Sequence, residues 1–120
     1  MKHKIFVYGS LKRGGGNHGL MAGQRFIATG RTQPVYRLFA LDSYPAMVDA
    51  AQDGRSIQGE IWEIDPERMP TLDQLEDLEH GMYARVKIPL LAPHNKLKVE
   101  GYVYRRSIAG RKECGEIWPV

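Results

Sequence analysis

The feature that most constrains this fold is the apolar run Ile5-Phe6-Val7, which meets Tyr8-Gly9-Ser10-Leu11 and then a glycine-rich loop, Lys12-Arg13-Gly14-Gly15-Gly16-Asn17. A short β-branched and aromatic run halted by glycine is the pattern of a buried strand. A strand that stops at such a loop leaves backbone N–H groups without ladder partners. Those donors can hold an anion or a developing oxyanion. The chain therefore starts with a strand that belongs inside a sheet and a loop suited to a small-molecule site.

The rest of the chain extends the β pattern. Thirteen glycines and seven prolines call for many turns between short strands. Strands are expected over 4–8, 26–31, 36–41, 57–64, 83–91 and 97–104, with turns at Asp53-Gly54 and Pro93-His94-Asn95. Residues 17–22 form a short helix stopped by Gly23, Ser43-Tyr44-Pro45 is a turn or irregular loop, and 105–120 lacks periodicity. So many strands in 120 residues suggest a small barrel or a strongly curled sheet. There is no repeat, linker or break in composition, so a single domain over 1–120 is expected.

Composition narrows the function classes. The formal charge of +3 is mild and scattered, which permits an acidic ligand and argues against nucleic acid. The lone cysteine, Cys114, excludes an intrachain disulfide and a Cys-rich metal site, as in a reducing compartment. His3, His18, His80 and His94 have no ligand spacing, so no metal is expected. With neither an apolar leader nor a long apolar span, a cytoplasmic protein without membrane contact is the simplest expectation.

One segment is clearly helical. Asp65-Pro66 is an N-cap followed by proline at the first position, Met69-Pro70 interrupts, and Thr71 restarts a helix expected to run to about Glu79, with Gly81 as the stop. Projected at about 100° per residue, Leu72, Leu75, Leu78 and Met69 define an apolar side. Asp73, Gln74 and Asp77 fall on the opposite side. Glu76 falls between Leu72 and Met69, inside the apolar stripe. A charged, unpaired carboxylate there costs several kcal/mol. Glu76 is therefore turned outward, paired with a base such as Arg85, or functional.

Tyr8-Gly9-Ser10-Leu11, then Leu72-Asp73-Gln74-Leu75-Glu76, then Tyr83-Ala84-Arg85 resemble, in order, the γ-glutamylcyclotransferase-like family, which includes γ-glutamylamine cyclotransferase and butirosin-pathway relatives. Tyr44-Pro45, Gly59-Glu60 and Tyr102-Val103-Tyr104 fit the same pattern, so the resemblance covers nearly the whole chain. It implies an α+β fold, a small mixed β-barrel of about five to seven strands with flanking short helices. It also implies that 8–11 is the substrate loop and Glu76 the general acid/base. Tyr8, Gly9, Ser10, Leu11, Tyr83 and Arg85 are the substrate-binding candidates. The implied activity is that of a cofactor-independent enzyme of the amidine- or amide-cleaving lyase or acyltransferase class, with a small γ-glutamyl compound as substrate. Where the family often has glycine after the glutamate, this chain has Asp77, which bears on the local turn and so on the aim of Glu76.

In the implied reaction the substrate's α-amine attacks its own γ-carbonyl, giving 5-oxoproline and a free amine or amino acid. The nucleophile belongs to the substrate. A carboxylate at about 4.3 is a poor base for an amine near 8, a gap of about 5 kcal/mol. Burial against Leu72, Leu75 and Met69 would narrow it. Backbone N–H groups at Gly9, Ser10 and Leu11 would hold the α-carboxylate or the oxyanion.

Each of these residues also has a plainer role. Tyr8 and Tyr83 are either partners of substrate or Glu76, or packed strand aromatics. Arg85 is either the partner of an acidic group or an exposed strand arginine. Ser10 lacks a Gly-x-Ser-x-Gly context and suits a turn. The Lys12 loop lacks Gly-Lys-Ser/Thr and is no Walker sequence. The competing function is a non-catalytic small-metabolite binding protein on the same fold.

Overall fold

In a computed structural model that describes residues 2–120, the strands are β1 (His3–Val7), β2 (Arg25–Arg31), β3 (Tyr36–Ala40), β4 (Pro45–Asp49), β5 (Gln58–Ile64), β6 (Tyr83–Lys87), β7 (Glu100–Tyr104) and β8 (Lys112–Gly115). The apolar start of the chain is the middle strand of a five-stranded sheet, ordered β2-β5-β1-β7-β6. It runs antiparallel to β5, with Phe6 opposite Ile61, and parallel to β7. Successive side chains of a strand point to opposite faces. Ile5 and Val7 enter one core with Met21, Met69 and Leu72, while Phe6 enters the other with Tyr36, Leu38 and Met47. A strand covered on both faces has to be apolar at consecutive positions, as β1 is.

The second sheet, β4-β3-β8, lies on the Phe6 side. The other side is covered by helix α1 (Met69–Leu75) and a 3₁₀ turn, His18–Met21. The fold is thus α+β, with eight strands in two sheets and one short α-helix among the described residues.

This corrects the expected barrel of five to seven strands. The large sheet curls far enough for Thr32 to bridge Leu90 just beyond β2 and β6, and for Leu91 N–H to donate to the Arg31 carbonyl at 2.9 Å. A single bridge does not close the ladder, and β2 and β6 remain its edges. The chain leaves the sheet after β2 through Pro34, which has no N–H to continue the pairing, and β3 then pairs with β4 and β8 instead. Both of those strands fall where irregular chain was expected. Pro45 is tolerated in β4 because it is the first residue of an edge strand.

The helix also stops early. α1 ends at Leu75, Glu76 is its C-cap (φ −86°, ψ 4°), and Asp77 adopts the left-handed conformation (φ 52°, ψ 49°). A 3₁₀ turn, Leu78–His80, follows. The left-handed region disfavours residues with a Cβ by about 1–2 kcal/mol, with aspartate among the better tolerated. Position 77 is therefore one that suits glycine. Asp77→Val is expected to lower stability by about 2 kcal/mol and Asp77→Gly to change it by less than about 1 kcal/mol, read from urea denaturation. Equal losses in both variants would show that residue 77 is not held left-handed.

Candidate active site

The end of β1, the start of β4 and the end of α1 converge on a cavity of about 250 Å³. Drug-sized ligand pockets span about 300–1,000 Å³, so this volume suits a ligand of amino-acid size. Tyr8, Gly9, Ser10, Leu11, Glu76 and Tyr83 all line it. Tyr44 and Leu75 also line it and are 38% and 39% exposed, which puts them at the mouth.

The loop after β1 is held through its carbonyls. The Gly9 carbonyl accepts from Lys12 N–H at 3.0 Å and the Ser10 carbonyl from Asn17 N–H at 2.9 Å. The Leu11 carbonyl accepts from His18 Nδ1 at 2.9 Å. Among the described residues, the N–H groups of Gly9, Ser10 and Leu11 have no backbone acceptor. Gly9 is required by space: a Cβ there would lie 2.6 Å from Cγ of Pro45. The Ser10 hydroxyl accepts from Asn17 Nδ2 at 2.9 Å, while the nearby imidazole is on Leu11, so Ser10 is not arranged as a nucleophile. Lys12 is buried and donates to the Trp118 carbonyl at 2.6 Å, away from any phosphate-cradling role.

Glu76 sits opposite this loop because α1 stops there. It is half-buried, and among the described residues its carboxylate has no ion-pair partner. Burial pushes its pKa up to about 7. Burial also raises the phenols of Tyr8 and Tyr83, and the Glu76 charge raises both further. For Tyr102, burial and the bond to Asp73 come first, with the Glu76 charge adding to them.

These phenols share a polarity. Tyr8 donates to the Tyr102 carbonyl at 2.5 Å, Tyr83 to the Pro45 carbonyl at 2.8 Å, and Tyr102 to Asp73 Oδ1 at 2.8 Å. With each hydroxyl proton engaged by the protein, the oxygens can act only as acceptors, and that of Tyr8 already accepts a long bond from Met47 N–H at 3.4 Å. The lining thus combines a loop with unpaired backbone donors and residues that carry phenol and carboxylate acceptors. That pattern complements the carboxylate and ammonium of an amino acid.

Arg85 does not line the cavity. Its guanidinium is 3.0 Å from Asp73 and 3.7 Å from Glu100, and so it braces the carboxylate that accepts from Tyr102. Glu76 is left without it. Asp73, projected onto the solvated side, is half-buried by these two partners, whereas Leu75, projected onto the apolar side, is partly exposed. Tyr102 and Pro45 join the lining without having been singled out as site residues. Their signal was present in the Tyr44-Pro45 and Tyr102-Val103-Tyr104 segments. β7 is covered on both faces, and Tyr102 is 2% exposed. Among the described residues no group of His, Cys, Asp and Glu is arranged to hold a metal, and no helix is long and apolar enough to cross a membrane.

This fold is that of the AIG2-like proteins: an AIG2-like protein from Mus musculus superposes with a TM-score of 0.81 at 27% identity, over 98% of this chain and 88% of that one. The chain belongs to the γ-glutamyl cyclotransferase, AIG2-like family, whose model matches residues 5–118. A human γ-glutamylaminecyclotransferase is 30% identical over 120 residues, covering 86% of this chain and 78% of that protein. A Vibrio cholerae relative is 36% identical over 78 residues, which is 65% of each chain. A Drosophila melanogaster relative is likewise matched over 65% of its length, so the chain spans just under two thirds of both.

Proposed function

We propose that this protein releases 5-oxoproline and a free amine or amino acid from a γ-glutamyl compound, with Glu76 as general acid/base. The observation that carries this is an unpaired, half-buried carboxylate with a pKa near 7 on the same cavity as a loop of backbone donors.

The substrate's α-carboxylate docks on the N–H groups of the 8–11 loop. Its α-ammonium lies against Glu76 and the phenol oxygens. Glu76 takes a proton from the ammonium, and with its pKa about 7 the mismatch with an amine near 8 falls to about 1.4 kcal/mol. The freed amine attacks the γ-carbonyl carbon, a new C–N bond closes the five-membered ring, and the carbonyl oxygen carries the negative charge. Protonated Glu76 gives its proton to the leaving nitrogen as the original C–N bond breaks and the carbonyl re-forms. The freed carboxylate then takes the second proton from the ring nitrogen, leaving the single N–H of 5-oxoproline, and passes it to the released amine. Holding the two reacting groups of one molecule at near-attack geometry is worth about 7–11 kcal/mol. Both reacting groups belong to the substrate, so the reaction needs no cofactor or metal. The leaving group exits past Tyr44 and Leu75 at the mouth.

A panel of γ-glutamyl amines and γ-glutamyl amino acids, assayed for 5-oxoproline, tests the function. Release from at least one is expected. Binding of 5-oxoproline with no product from any substrate would instead mark a non-catalytic metabolite-binding protein.

A further inference from the structure

The glycine-rich segment after the loop has a role that its resemblance to a phosphate loop obscures. A trans peptide unit points its C=O and its following N–H in opposite directions, so fixing one fixes the other. The Leu11 carbonyl accepts from His18 Nδ1 at 2.9 Å. In the same peptide unit, Lys12 N–H donates to the Gly9 carbonyl at 3.0 Å. That carbonyl shares its peptide unit with Ser10 N–H, which has no backbone acceptor among the described residues and lies on the cavity-lining loop. His18 therefore stands at the head of a relay of two peptide units that ends at a cavity donor. Asn17 does the same one position on: its N–H holds the Ser10 carbonyl at 2.9 Å, and the same unit carries Leu11 N–H. A carbonyl can only accept, so the His18 proton must be on Nδ1. The ring itself is steadied edge-on against Trp62, with centroids 5.4 Å apart.

We propose that His18 is a positioning residue for the substrate's α-carboxylate, acting through the Leu11 and Gly9 carbonyls to keep Ser10 N–H turned into the cavity. This rests on the cyclotransferase function proposed above, but its test does not depend on turnover alone.

His18→Phe keeps an aromatic edge against Trp62 and removes the donor. His18→Asn returns a donor near the position of Nδ1, whereas the amide of His18→Gln reaches beyond it. In His18→Phe, KM is expected to rise about tenfold with kcat within about twofold, as for a lost bond to a charged group. The Kd for 5-oxoproline should rise in parallel. The Kd for 2-pyrrolidinone, the same ring without the carboxylate, should not move. His18→Asn should recover most of the affinity and His18→Gln little of it. Unchanged 5-oxoproline affinity in His18→Phe, or equal affinities in the Asn and Gln variants, would overturn the proposal. The Asn and Gln pair decides the matter if His18→Phe does not fold. Wild-type protein that binds 5-oxoproline with this His18 dependence, yet turns over no γ-glutamyl compound, would remove the reaction and leave the positioning role standing.

Discussion

Glu76→Gln is expected to lower 5-oxoproline release by about 10²–10⁴-fold while making the fold more stable above pH 7. Both effects come from one carboxyl. Its pKa in the fold is about 7 against an ordinary value of 4.5, because burial disfavours the charged form. Below pH 4.5 the group is protonated in both folded and unfolded chains and contributes nothing to the pH dependence. Between 4.5 and 7 the folded protein binds a proton that the unfolded chain has lost, so stability falls as pH rises. Above about 7 the full difference is present, about 3 kcal/mol as an upper bound. Glutamine carries no such charge. The variant's stability relative to wild type should therefore grow across this window, read from urea midpoints at pH 5, 6, 7 and 8. Wild-type kcat/KM should climb about tenfold per pH unit below 7 and level off as Glu76 ionises. A variant that keeps more than a few per cent of turnover would remove Glu76 from the chemistry. Loss of activity with no pH-dependent gain in stability would show that its carboxyl is not held up by burial.

Gly9→Ala should be the most damaging small substitution in the loop. The added Cβ would meet the Pro45 ring at 2.6 Å and 2.8 Å, and a proline ring has no rotamer by which to withdraw. Gly9 has an ordinary negative φ, so contact rather than backbone strain sets the cost. Either the loop or the first residue of β4 must move, at about 1–3 kcal/mol. Pro45 also accepts the Tyr83 hydroxyl through its carbonyl, so the displacement reaches the acceptor wall. We expect a lower urea midpoint together with at least about a tenfold loss in kcat/KM. Wild-type values for both would mean that loop and strand are not in contact.

Much of this was legible in the chain. The first strand and its loop could be read because an apolar run halted by glycine has few other uses. Glu76 could be found because a carboxylate in an apolar stripe needs a reason. Other features depended on partners far away in sequence. β4 hid behind Tyr44-Pro45, which reads as a turn until an edge position is known to be free. β8 has no marked alternation and is defined by its pairing with β3. Arg85 looked like a partner for Glu76, but Asp73 and Glu100 take it, and the projection that put Asp73 in solvent knew nothing of Tyr102. The end of α1 falls about four residues early because Asp77 adopts the left-handed conformation, which aspartate tolerates but which the helical periodicity of 72–79 does not signal.

The placement of β1 between β5 and β7 has a kinetic consequence. Its partners begin at Gln58 and Glu100, so the strand that carries the donor loop can be locked in place only after loops of great length have closed. Folds dominated by such distant pairings are slow to form, because closure entropy is lost before the contacts that offset it are made. The cavity is therefore expected to form in the last event of folding. Ligand binding should appear in refolding experiments only with the final phase, after most secondary structure has already returned.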